Sequence, residues 1–153
     1  MVILTLEGFN LPSGYIVKEL TIIFNDDSYQ HFHFNAPKDF FPTAKDLRTI
    51  NYVRRHLNEL SLSDDCLLPY TSIIDILNNL SSCKIYVAGN STHKFIMTYL
   101  PLNNIIDICS EYNFKYPAEL PPMDCFKQHK PRYCSLSKAK YIKSIIKDLL
   151  KTD

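Results

Sequence analysis

Glycine is scarce in this sequence, with 3 Gly against 9 Pro in 153 residues. Tight turns must therefore rest on Asn, Asp and Pro. A glycine-rich loop that cradles phosphate is excluded, because Gly89 stands alone among its neighbours. Long apolar runs are also missing. No stretch approaches the roughly 20 residues of a membrane span, and no membrane partner is expected. The opening Met1-Val-Ile-Leu-Thr-Leu-Glu7 has no basic segment and too short an apolar run for a secretory signal. An intracellular setting, cytoplasmic or nuclear, is the expectation. The 5 Cys are odd in number and irregularly spaced, so thiols or metal ligands are expected in place of a disulfide framework. Repeats and low-complexity tracts are lacking, and no Ser-His-Asp or Cys-His nucleophile pattern is anchored by its context.

What is present fits one folded unit. Hydrophobic residues make up 46% and charged residues 22%, ordinary globular usage, and the length suits a single domain over 1–153 with a full core. The net charge of +1 hides an asymmetry. Between Lys127 and Lys151 lie eight Lys or Arg and one acid, leaving nine basic and fifteen acidic residues elsewhere. Such a basic segment is either an anion-binding footprint or a solvated helix face.

Hydrophobic periodicity gives the elements. Val2 to Leu6 reads as a buried strand, Gly8 to Gly14 as a loop and Tyr15 to Phe24 as a second strand. Asn25 to Ser28 is a turn signal. Tyr29 to Phe34 alternates, with Phe32 and Phe34 on one face and His31 and His33 on the other. Thr43 can cap a helix reaching Asn58, and Pro69 suits the start of another, carrying Ile73, Leu77 and Leu80. Lys84 to Ala88 reads as a strand, Ser91 to Leu100 as a helix and Asn104 to Cys109 as a strand. The stretch from Ser110 to Arg132 is Pro- and Tyr-rich and expected to be irregular. Leu136 to Lys151 is the clearest helix, with Lys140, Lys143, Lys147 and Lys151 opposite its apolar stripe. The order βββ-α-(α)-β-α-β-α predicts an α/β fold, a five-stranded mixed sheet flanked by helices.

Several residues carry possible chemistry. Cys125, His129 and Cys134 are spaced Cys-x3-His-x4-Cys. That spacing suits zinc, or else two packed cysteines and a surface histidine. His31 and His33, at i and i+2, could also bind metal, but the residues favour a solvent-facing polar stripe. Cys66, Cys83 and Cys109 read as plain thiols. His93 is the candidate for any residual acid–base chemistry. Tyr112, Phe114 and Tyr116 either stack on bases or, as the pattern favours, pack their loop onto the body.

Three short segments carry a resemblance. Thr5-Leu6-Glu7 lies in the first strand, Ala88-Gly-Asn-Ser-Thr-His-Lys94 follows a strand, and Tyr133-Cys-Ser-Leu-Ser-Lys-Ala139 opens the last helix. In order and placement they resemble the D-x-E, G-H-N-x-x-F-D and H-x-A-x-x-D-A motifs of the RNase H-like, DnaQ-type DEDDh exonucleases. The resemblance implies an RNase H-like fold with a degenerate active site. Only Glu7 is retained, and Lys94 and Lys138 stand where aspartates belong. A hard cation is not held beside two ammonium groups, so conventional two-metal nuclease activity is not expected. The set Glu7, Cys125, His129 and Cys134 is also similar to the Glu-Cys-His-Cys zinc set of the Maelstrom domain, which implies one structural zinc.

The resemblance further implies single-stranded RNA as partner, in a setting of RNA silencing or defence against mobile elements. Lys94, Arg132, Tyr133, Lys138, Lys140, Lys143 and Lys147 are then the nucleic-acid-binding residues. Two alternatives stay open. One is a protein-interaction scaffold whose basic helix meets an acidic partner. The other is a noncanonical nuclease using His93, Glu7 and Lys94.

Overall fold

A computed structural model describes residues 1–58, 67–120 and 133–151. Strands β1 (Val2–Leu11), β2 (Gly14–Phe24) and β3 (Tyr29–His33) form an antiparallel meander. Helix α1 (Ala44–Val53) runs into a π-helical turn, Arg54–Asn58. Helix α2 (Ser72–Asn78), strand β4 (Ile85–Val87), helix α3 (Asn90–Tyr99) and strand β5 (Ile105–Asp107) follow. The short α4 (Ile108–Glu111) and the long α5 (Ser135–Leu150) complete the order. The result is an α/β fold whose five-stranded mixed sheet has the order β3-β2-β1-β4-β5, with β4 and β5 parallel to β1.

Strand parity divides the core. Val2, Leu4, Leu6, Leu20, Ile22, Ile85 and Val87 face one way and pack with Ile73 and Leu77 of α2 and Ile96 of α3. Ile3, Ile23 and Tyr86 face the other way, under Ala139, Ile142 and Ile146 of α5. A third cluster joins Phe9, Leu11 and Ile16, at the far end of the first hairpin, to Ile50 of α1. Phe114 is buried in the α5 cluster, with Tyr112 and Tyr116 packed around it. The loop aromatics therefore hold their loop to the body.

The first hairpin differs from the sequence expectation. The expected loop from Gly8 to Gly14 is largely strand, because β1 continues to Leu11 and pairs with β2 as far as Leu11↔Gly14. Pro12 and Ser13 alone make the turn. The register shifts once, between Glu7 and Gly8, where Lys18 is the extra residue of a β-bulge. A Cβ on Gly8 would lie 2.0 Å from the Ile16 carbonyl oxygen, so only glycine permits this approach. Scarcity of glycine elsewhere is met by Asp27 (φ 69°) and Asn113 (φ 54°), which adopt the left-handed conformation themselves.

Thr43 caps α1 as expected. Its hydroxyl accepts from the Asp46 N–H at 3.1 Å, and the Asp46 carboxylate accepts from the Thr43 N–H at 3.0 Å. The Asp46 carboxylate also takes the Ser13 hydroxyl at 2.8 Å, tying α1 to the β1–β2 turn. Expected helix to Asn58, the segment leaves α-helical geometry after Val53.

Candidate functional site

On the odd-numbered side of β1 the residues run Ile3, Thr5, Glu7, Phe9, Leu11. Apolar residues at both ends pack under α5 and α1 respectively. The polar pair between them continues across the sheet in register. Thr5 lies opposite Thr21 and Thr21 opposite His31. Glu7 lies opposite Glu19 and Glu19 opposite His33. Two cross-strand rows of polar side chains thus sit on an otherwise apolar face, where each needs a partner.

The first residue of α5 supplies several. The Thr5 hydroxyl donates to the Ser135 carbonyl at 2.6 Å. The Ser135 N–H and hydroxyl both donate to one oxygen of Glu19, each at 2.6 Å. Thr21 Oγ1 lies 2.8 Å from Ser135 Oγ and 2.6 Å from His31 Nδ1. The other Glu19 oxygen lies 2.9 Å from His33 Nε2. Glu19 is fully buried, and His33 is 9% exposed. A helix N-terminus, an N–H and a hydroxyl all favour the charged form of a carboxylate, against the cost of its burial.

Hydrogen-bond direction follows from the Ser135 contact. The Ser135 hydroxyl donates to Glu19, and it has a single proton to give. Thr21 then donates to Ser135 Oγ, and His31 Nδ1–H donates to Thr21. His31 therefore carries its proton on Nδ1. The rings of His31 and His33 meet edge-on at 4.7 Å between centroids. One ligand atom from each of Glu19, His31 and His33 lies within 4.8 Å of the others, close enough to hold a metal ion. The polar stripe expected to face solvent instead faces the first turn of α5, because that helix crosses both β1 and β2.

Glu7 has a different environment. Its carboxylate forms an ion pair with Lys138 at 2.6 Å, with the two side chains 12% and 20% exposed. The Lys138 ammonium also lies 5.5 Å from the centre of the Tyr116 ring. Burial, reinforced by Cys109 and Glu7, pushes the Tyr116 hydroxyl above the usual tyrosine range. Burial does the same to Tyr15, with Glu7 the largest charge contribution.

The remaining sequence candidates fall as follows. Cys125, His129 and Arg132 lie outside the described residues. Cys134 is the buried N-cap residue of α5, and Tyr133 is half-buried beside it. Neither Glu7 nor Cys134 belongs to the Glu19–His31–His33 group. Lys94 is exposed on α3 and His93 is half-buried there, on the helix layer opposite α5. Lys140 lies 4.3 Å from the centre of the Tyr29 ring. Lys143 donates to the Asn25 carbonyl at 3.3 Å and lies 3.7 Å from Asp27. Lys147 is exposed. Structure thus separates Lys138, turned toward β1, from Lys140 and Lys143, turned toward the β2–β3 turn.

Sequence reasoning missed Glu19, Thr21 and Ser135. Glu19 was detectable as the lone acid of β2, and counting back from the turn at residues 25–28 pairs it with His33. Comparison with protein-family models, curated proteins and solved structures gives no match. Among the described residues, no helix is long and apolar enough to cross a membrane.

Proposed function

We propose that this chain is a catalytically degenerate RNase H-like domain that binds single-stranded nucleic acid, RNA foremost, and carries one structural zinc. The Glu7–Lys138 ion pair carries this reading. Hard divalent cations bound beside a phosphodiester need several carboxylate oxygens free of other cations. Here the one carboxylate retained from the motif set is paired with a lysine that stands in an aspartate position. The mixed sheet, in the element order that the RNase H-like resemblance implies, supports the same reading. The silencing or mobile-element setting comes with the Maelstrom likeness.

The binding surface suggested is the β3 edge with the adjoining side of α5. Tyr29 keeps 47% of its surface exposed beside the Lys140 ammonium, a ring on which a base can stack next to a charge that meets phosphate. Lys143 and Lys147 extend that charge, with Asp27 offsetting part of it. The test is fluorescence anisotropy with a labelled oligouridylate over a salt series. Three lysine–phosphate contacts on a single strand predict roughly a 20-fold loss of affinity between about 50 and about 200 mM salt. The triple substitution Lys140→Ala, Lys143→Ala and Lys147→Ala should abolish both binding and its salt slope. No binding by the folded wild type at the lower salt, or equal affinity in the triple variant, refutes the reading.

A second reading, a protein-interaction scaffold, is favoured by one observation. Phe41, Leu47 and Tyr52, on and just before α1, are 85%, 44% and 60% exposed. It is the reading left standing if RNA binding fails.

A further inference from the structure

The zinc of the proposed function can be given ligands, and this inference rests on that reading only for the identity of the metal. We infer that Glu19, His31 and His33 form a metal-binding centre beneath the first turn of α5, suited to zinc.

A buried Glu19–His33 ion pair would need only one imidazole. The second ring is held against the first, 4.7 Å away, and a doubly charged pair of rings there would repel. Three donors converge from two adjacent strands, with ligand atoms within 4.8 Å of one another. Tetrahedral zinc, with bonds of about 2.0–2.2 Å, spaces its ligands about 3.4 Å apart. His33 Nε2 and Glu19 Oε2 start at 2.9 Å and open slightly as the ion enters. The proton between them is released to solvent.

The outer contacts are those a metal site needs. The Thr21 hydroxyl, 2.6 Å from His31 Nδ1, orients that ring. Ser135 occupies one Glu19 oxygen with two donors and turns the other toward His33. Such orienting contacts set the tautomer and the ligand direction. Two imidazoles and one carboxylate form a borderline nitrogen and oxygen set that accepts zinc. The fourth position lies outside this group. Glu7 is excluded by its pairing with Lys138.

The test uses the full chain, purified and dialysed against a defined zinc buffer. Metal per chain is measured by mass spectrometry and affinity by competition with a chromophoric chelator. Wild type and Glu7→Gln should each hold about one zinc. His31→Gln and His33→Gln, checked for folding by circular dichroism, should each lose at least tenfold in affinity. Long-range nitrogen–proton NMR of the wild type should show the His31 and His33 ring signals shifting together on zinc addition. That reading decides the matter if a variant fails to fold. Zinc bound with unchanged affinity in both histidine variants, but lost in Cys125→Ser and His129→Ala, overturns this ligand set and leaves the zinc reading intact. Folded wild type that binds no zinc overturns both.

Discussion

Removing Lys138 should destabilise the fold by an amount that reports how deeply the Glu7 pair is buried. The two charges lie 2.6 Å apart with side chains 12% and 20% exposed. At an effective dielectric of about 20, their gross attraction is about 6 kcal/mol. Desolvation of both groups takes back much of this. Lys138→Met removes the ammonium from beside the Glu7 carboxylate, near two tyrosines whose hydroxyls are already pushed upward by burial and by its charge. That single change should cost about 3 kcal/mol, the lower end for breaking a buried pair. At about 2–4 °C per kcal/mol for a domain of this size, the melting temperature should fall by roughly 6–12 °C. Glu7→Gln should cost less, because the ammonium can swing outward along its stem. The double variant should recover part of the loss, with a coupling energy of about 2 kcal/mol from a urea-unfolding cycle. A mostly buried pair is weakly screened, so the coupling should persist in about 1 M salt. A coupling below about 0.5 kcal/mol, or one erased by salt, is the behaviour of a surface pair. It would remove the argument that Glu7 is unavailable to a cation.

Two further predictions concern the hairpin end of the molecule. The Thr43 N–H foremost, with the Ser13 and Thr43 side chains, holds the Asp46 carboxyl below the usual carboxylate range against the effect of burial. A depressed folded-state value stabilises the protein above the unfolded value near about 3.9, and that contribution is lost as pH falls through the folded value. Asp46→Asn should therefore be less stable than wild type at neutral pH, with the difference narrowing as the pH is taken below about 4 in chemical-denaturation curves; a constant difference across that window would contradict the assignment. Gly8→Ala should cost about 3 kcal/mol or more, because its Cβ meets the Ile16 carbonyl. Near-wild-type stability in urea would mean the bulge can relax.

The fold was legible where periodicity was clean. Alternation in β3 separated Phe32 from His31 and His33, and the stripe of Leu136, Ala139, Ile142 and Ile146 located α5. β1 was read too short because Gly8, Asn10 and Pro12 carry loop composition. Pairing with β2 overrides that propensity through Phe9 and Leu11, and the bulge at Lys18 gives Gly8 its place. The short α4 was missed because four residues carry no period. Its start is set by Asp107, whose carboxylate accepts from the Cys109 N–H and also from Gly89.

The site was less legible, for a reason that lies in registry. Motif reading treats each segment separately and asks which residues a family places there, so it drew Glu7 toward the late Cys-x3-His-x4-Cys segment. The meander sets a second grouping, of Glu19 with His31 and His33. Once the β2–β3 turn is fixed, Glu19 must stand opposite His33, and the bulge keeps Glu7 in line with both. Two carboxylates then share a row and need different partners, since neighbouring like charges disfavour each other. Lys138 answers Glu7, while Ser135 and His33 answer Glu19. Ser135 and Lys138 lie three residues apart on the first turn of α5, so one helix end satisfies both acids. Substitution at either lysine or serine therefore disturbs the seating of the whole helix end, and the separate variants at Glu7, His31 and His33 are what resolve the ion pair from the proposed metal centre.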